Sequence, residues 1–196
     1  MSVTLDQARI ISEAALAKAR ELGLKPISVI IMDPRTSLVA CLSEEGVSQM
    51  RWRIAQGKAN AAIKLGLGTR ALMARAEQQA YFIQAMNGLA DGEFVPVPGG
   101  VLIRDADGNL LGAIGISGDT SDNDEAAALA GIAAAGLVAD GGQPVDLDAI
   151  EADLGKTLAR FKQPRKLILV DSLPRNTMGK VQKNILRDKF GSTFLG

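Results

Sequence analysis

The sequence predicts an α+β domain built on one antiparallel sheet, followed by a short helix–strand–helix appendage. Three observations carry that expectation. Apolar residues at helical spacing give way at once to two short apolar runs joined by a turn, at Ile27 to Asp33 and Leu38 to Leu42. A second pair of runs, Val101 to Arg104 and Leu110 to Ile116, flanks Asp107-Gly108-Asn109, where Gly and Asn tolerate the positive φ of a hairpin turn. The charge balance then reverses: residues 1–142 hold 12 Lys and Arg against 16 Asp and Glu, and residues 143–196 hold 10 against 6. These observations divide the chain into a domain at 1–142 and an appendage at 143–196, with Gly141 to Pro144 as the linker.

Thr4-Leu5-Asp6-Gln7 has the pattern of a capping box. Leu5, Ala8, Ile11, Ala15, Ala19 and Leu22 follow at helical spacing, and Gly23 supplies a stop. After the first hairpin, a helix is expected from about Ser48 to Gly66, with Trp52, Ala55, Ala59, Ala62 and Ile63 on one side. Gly57 inside it implies close packing against the sheet. A further helix is expected from Thr69 to about Met86, carrying Tyr81 and Phe82. Pro98-Gly99-Gly100 forms a corner into the second hairpin, whose last strand leaves through Gly115, Ser117 and Gly118. Ser121 and Asp122 are the candidate caps of the next helix, which runs through AAALAGIAAAGLVAD; Asp124 and Glu125 read as first-turn acids. In the appendage, a helix over Asp146 to Ala159, a strand over Lys166 to Asp171 and a basic helix over Val181 to Phe190 are expected.

Composition narrows the function. The chain of 196 residues is 47% hydrophobic but only 4% aromatic, so its core is aliphatic. Its net charge is zero, which gives no ground for a nucleic-acid or anionic-membrane partner. The opening residues show no basic stretch followed by an apolar one, so a cytoplasmic location is expected. There is no histidine and only Cys41 as cysteine. That excludes intrachain disulfides, Ser-His or Cys-His nucleophiles and the commonest metal ligand; no metal site is expected.

The residues alone suggest where a ligand would sit. Pro98, Gly99 and Gly100, with Ser117 and Gly118 at the strand exit, read either as plain turns or as a corner that touches ligand. Arg53 and Lys58 are candidates to meet an anionic ligand, and Tyr81 to line it; each reads equally as a surface or packing residue. For an enzyme, Glu44, Glu45 or Asp119 would serve as base beside Lys58 or Arg53.

Two resemblances extend this reading. The opening helix, ISVIIMD, SLVACL, AQGKANAA, PGGVLI and GAIGISGDTSDNDEAA, over residues 3–140, resemble the GlcG/HbpS/PduO-C family, also called the heme-degrading domain family. That resemblance implies a profilin-like three-layer α/β/α fold with a central antiparallel sheet of about five strands, a homo-oligomer, and a small-molecule ligand. Heme or corrinoid is the cofactor it implies, whereas the histidine that some heme-binding members use as a ligand has no counterpart here, so no cofactor is expected. Ser43-Glu44-Glu45-Gly46 replaces the family's frequent Arg-Met-Asp-Gly, and Leu102 replaces a proline. Secondly, LARFKQPRKLILVDSLPRNTMGKVQKNILR, within about 145–190, resembles the C-terminal end of AMP-forming acyl-CoA synthetases, malonyl-CoA synthetase-like members above all. In these, the lysine matching Lys180 is catalytic and reaches acyl-phosphate oxygens, with Gly179 permitting its turn. The nucleotide-binding domain of such enzymes has no counterpart in the chain. Three functions follow as expectations: an oligomeric module that binds an organic acid or tetrapyrrole, an isomerase or lyase for a small carboxylate, and an accessory protein whose tail aids assembly or supplies Lys180 in trans.

Overall fold

The computed structural model describes residues 1–144, 146–170, 173, 174, 176 and 180–191. The chain forms two compact units, Met1–Pro144 and Val145–Gly196. In the first, α1 (Leu5–Glu21) leads into β1 (Ser28–Met32) and β2 (Leu38–Ser43), then α2 (Arg51–Leu65), α3 (Thr69–Gln78) and α4 (Ala80–Leu89). There follow β3 (Gly100–Arg104), β4 (Leu110–Ser117), α5 (Ser121–Ala134) and β5 (Val138–Asp140). The five strands form one antiparallel sheet in the order β2-β1-β4-β3-β5.

The local signals act as expected at several ends. Thr4 caps α1 through a complete box: its Oγ1 accepts from the Gln7 N–H at 3.2 Å, and Gln7 Oε1 accepts from the Thr4 N–H at 3.0 Å. Each side chain thereby occupies a donor the helix itself leaves open. α2 ends at Gly66, which adopts a left-handed φ of 66°. The β3–β4 hairpin turns on Asp105, whose Oδ1 accepts from the N–H groups of Asp107 and Asn109.

Three layers result. Val29 and Ile31 of β1 and Val101 and Ile103 of β3 point to one face, where Ile11, Ala15, Ala127 and Ile132 of α1 and α5 cover them. Ile30, Met32, Leu102 and Ala113 point to the other, under Ala55, Ala59 and Ala62 of α2. Full burial of each such isoleucine is worth about 1.5–3 kcal/mol, so the aliphatic core supplies most of the driving force. Helix α2 touches the sheet at backbone distance: a Cβ on Gly115 of β4 would stand 1.9 Å from the Ala55 carbonyl oxygen. A satellite cluster of Ala61, Leu72, Ile83, Ala90 and Phe94 seats α3 and α4 on α2.

Several expectations are corrected. The fifth strand is Val138–Asp140, which the sequence places in the preceding helix; that helix stops at Ala134, and Gly136 turns the chain with φ 68°. Thr120, not Ser121 or Asp122, caps α5 by accepting from the Asn123 N–H. Helix α2 starts at Arg51, and the segment from Thr69 breaks at Gln79 into two helices. Gly57 is required by Val95, not by the sheet: a Cβ there would lie 2.6 Å from the Val95 Cγ2. Gly141 and Gly142 are held to α3, with the Arg70 N–H donating to the Gly141 carbonyl at 3.2 Å.

In the second unit the strand expected from Lys166 is not formed over the described residues 166–170, and the β-structure among the described residues is a single bridge residue, Val181, just before the last helix. Its helices are α6 (Leu147–Thr157), capped by the Asp146 side chain, and α7 (Lys183–Phe190), with a 3-10 turn at Arg160–Lys162. No helix is long and apolar enough to cross a membrane, among the described residues.

Candidate functional site

The Pro98-Gly99-Gly100 corner is occupied by the protein itself. Gly99 has φ 112°, and a Cβ on it would stand 2.8 Å from Lys58 Nζ and 2.9 Å from the Ile116 carbonyl oxygen. Gly100 is gripped by Thr69, whose Oγ1 accepts from its N–H at 2.8 Å and donates to its carbonyl at 3.0 Å. Beneath the corner, Lys58 Nζ donates to Asp124 Oδ2 at 2.8 Å, with the two side chains 2% and 1% exposed. Asp124 Oδ1 accepts from the Asp119 N–H at 3.1 Å. Burial pushes the Lys58 ammonium below its usual value and the Asp124 carboxyl above its own, against their mutual attraction. Both shifts favour the neutral forms, so the pair is held by its surroundings rather than holding them.

The neighbouring candidates have partners of their own. Ser117 is buried, and Arg51 Nη1 donates to its Oγ at 3.3 Å. Gly118 lies against the residues leading into β1, where a Cβ would meet the Pro26 carbonyl oxygen at 2.4 Å. Asp119 accepts from the N–H groups of Lys25 and Thr120 and from Asn123 Nδ2, and these bonds hold its carboxyl down at about 2. A carboxylate so stabilised is a weak proton acceptor at neutral pH. Glu44 accepts from the Ile27 N–H and from Arg20, while Glu45 stands exposed in the turn after β2. Tyr81 projects from α4 with three quarters of its surface exposed. Lys180 is exposed, and its backbone exchanges hydrogen bonds with Asn176: the Lys180 N–H donates to Asn176 Oδ1 and the Asn176 N–H to the Lys180 carbonyl. The turn role read for Gly179 lies outside the described residues. Glu44, Glu45, Asp119 and Lys58 therefore do not converge with Arg53 on one cavity.

Arg53 does line a cavity. An open cleft of about 500 Å³ lies between the first turns of α2 and the loop after α4, and its lining includes Trp52, Arg53, Gly57, Asp91, Glu93 and Val95. The loop wall is shaped by Asp91 and Gly92, which take consecutive left-handed φ values of 54° and 79°. Glu93 Oε2 accepts from Gln56 and Asn60. The Arg53 guanidinium stands 5.3 Å from the centroid of the Trp52 ring, and no described carboxylate lies within ion-pair distance of it. An aromatic wall and an unpaired guanidinium together can hold an anion with a planar or apolar body.

Sequence reasoning missed Asp124, Arg51, Thr69, and the Arg70–Glu125–Asp122 group that joins α3 to α5. One signal was available: Lys58 falls on the apolar stripe of Ala55, Ala59 and Ala62, so it needed a buried counter-ion. Among the described residues, no three His, Cys, Asp or Glu side chains are grouped as a metal ion would need.

Comparison with known proteins fits this architecture. The family model described as haem degrading protein HbpS-like matches residues 3–133. The chain belongs to the HbpS-like family. The crystal structure of a PduOC:heme complex superposes with a TM-score of 0.64 at 23% identity, covering 70% of this chain and 98% of that one, which shows the fold. A double mutant of Streptomyces reticuli HbpS gives 0.58 at 27% identity, covering 68% and 86%. A part of the chain matches acyl-CoA ligases: it is 40% identical over 62 residues to long-chain-fatty-acid–CoA ligase FadD13 of Mycobacterium tuberculosis. That match covers 32% of this chain and only 12% of the ligase, so the chain spans about a tenth of the length of the ligases it matches.

Proposed function

We propose that this HbpS-like chain is a small-molecule-binding accessory protein whose ligand, a small organic acid with a planar or apolar body, sits in the cleft at Trp52 and Arg53. The carrying observation is the pairing, in one open cleft, of an aromatic ring with a guanidinium that has no carboxylate partner. Arg53 binds the carboxylate by charge-assisted hydrogen bonds, Trp52 and Met50 cover the body, and Asp91 on the opposite wall discriminates against dianions.

Heme, the ligand of the PduOC:heme complex, does not fit the donors of this chain. The sequence has no histidine, Cys41 stands on β2, and Tyr81 is exposed on α4. Met50 is the one thioether at the cleft, with no His, Tyr or Cys among the residues lining it.

The test uses a built-in probe, because Trp52 is the only tryptophan in the chain. Titration with aromatic and short aliphatic carboxylates is expected to change its fluorescence saturably, and the matching amides to leave it unchanged. Equal responses to acid and amide would remove the role given to Arg53.

A further inference from the structure

The second unit leaves its apolar residues uncovered. No described residue from 146 to 191 is buried, and Ile168, Leu169 and Ile185 are each more than a third exposed. Within this unit lies an open groove of about 420 Å³, inside the range of about 300–1,000 Å³ usual for small-molecule sites. Ile168 and Val170 line one wall, and Leu186 and Phe190, one turn apart on α7, line the other. The polar side chains described along the groove are Lys183 and Arg187, also one turn apart and so on one face of α7. Both are exposed, and neither is ion-paired to a described residue. No carboxylate is among the described residues that line the groove.

We propose that this groove binds an amphiphilic anion: a straight alkyl chain with one carboxylate, laid along the apolar walls with its head at Lys183 and Arg187. The walls select the body. Aliphatic side chains and one phenyl ring offer contact but no hydrogen bond, so a polar body would give up water without replacement. The two cations select the head. A carboxylate beside them gains charge-assisted hydrogen bonds from both, a neutral head gains less, and an ammonium is repelled. Occupancy covers side chains that the unit by itself leaves in water, so binding also stabilises the second unit. The cleft at Trp52 offers an aromatic ring and one unpaired guanidinium, so the two sites differ in the body they take and in their charge.

Calorimetric titration of the full chain with hexanoate, octanoate and decanoate, each kept below its micelle concentration, tests this. Affinity is expected to rise about two- to fourfold for each added methylene, as burial of an alkyl chain requires. 1-Octanol should bind about tenfold more weakly than octanoate, or weaker still. Lys183→Glu combined with Arg187→Glu, both at exposed positions, should weaken octanoate by about tenfold or more and leave 1-octanol unchanged. The alcohol thereby separates loss of the head contact from loss of the groove. In the Arg53→Gln chain decanoate should still bind, without a change in Trp52 fluorescence, which separates this site from the cleft. No heat at any chain length, affinity independent of chain length, or equal binding of acid and alcohol would overturn the proposal. So would full octanoate affinity in the double variant, loss of the alcohol together with the acid, or loss of decanoate binding in Arg53→Gln. Binding only to vesicles of phosphatidylcholine and phosphatidylglycerol, with none to the free acids, would replace it with a lipid surface.

Discussion

Replacing Lys58 by methionine tests how the buried pair behaves. The ammonium and the Asp124 carboxylate are 2% and 1% exposed and 2.8 Å apart. Methionine fills most of the lysine volume, so packing changes little, but Asp124 keeps only the Asp119 N–H as partner. Removing one member of such a buried pair costs about 3–5 kcal/mol, because the remaining charge is stranded. Lys58→Met with Asp124→Asn removes the stranded charge and keeps an acceptor for Asp119. The double variant should therefore recover about 2–3 kcal/mol relative to the sum of the single losses. The sign with pH follows from the raised Asp124 carboxyl. A native state that holds a proton the unfolded chain has released gains stability as pH falls and loses it as pH rises through the native value. Lys58→Met should thus be less destabilised at pH 5 than at pH 8, by urea unfolding followed with far-UV circular dichroism. A loss below about 1 kcal/mol, or a double variant equal to the sum of the singles, would refute the reasoning.

Other outcomes follow from the same structure. Gly115→Ala would force a methyl group to 1.9 Å from the Ala55 carbonyl oxygen, so α2 must lift from the sheet; a loss of about 3 kcal/mol or more in urea unfolding is expected, since the close atom is backbone. Asp119→Asn should lower the melting temperature at pH 7. Because the Asp119 carboxyl is held at about 2 against an ordinary 3.8, that difference should persist above pH 4 and fade as pH drops toward 2. The full chain should give no ATP–pyrophosphate exchange, since it spans about a tenth of the ligases it matches; radiolabel exchange above background would contradict this.

Most of the fold was legible because its signals are local. The Thr4–Gln7 box and the Asp107-Gly108-Asn109 turn each state their geometry within a few residues. β5 was not legible: three residues paired only to β3 carry too short a period to tell a strand from the end of an alanine-rich helix. The site was less legible than the fold. Arg53 was a candidate for an anion contact or a solvated side chain, and the structure places it on an open cleft, whereas Lys58 was grouped with it and is turned inward to Asp124. First-turn acids look the same in sequence whether they cap a helix or receive a buried lysine from another one. The Pro-Gly-Gly corner reads by composition either as a turn or as a ligand contact, and the space its glycines leave is taken by Lys58 and Thr69.

The central claim is that Arg53 supplies the anion contact of the cleft, and calorimetric titration of one aromatic carboxylate into the natural chain and into Arg53→Gln tests it most directly. Arg53 is exposed and pairs with no described carboxylate, so the substitution should leave folding intact. Loss of a charge-assisted contact worth about 1.5–3 kcal/mol predicts a Kd weakened about 10- to 100-fold, with one ligand per cleft. Unchanged affinity in Arg53→Gln, or no heat of binding in either chain, would contradict the claim.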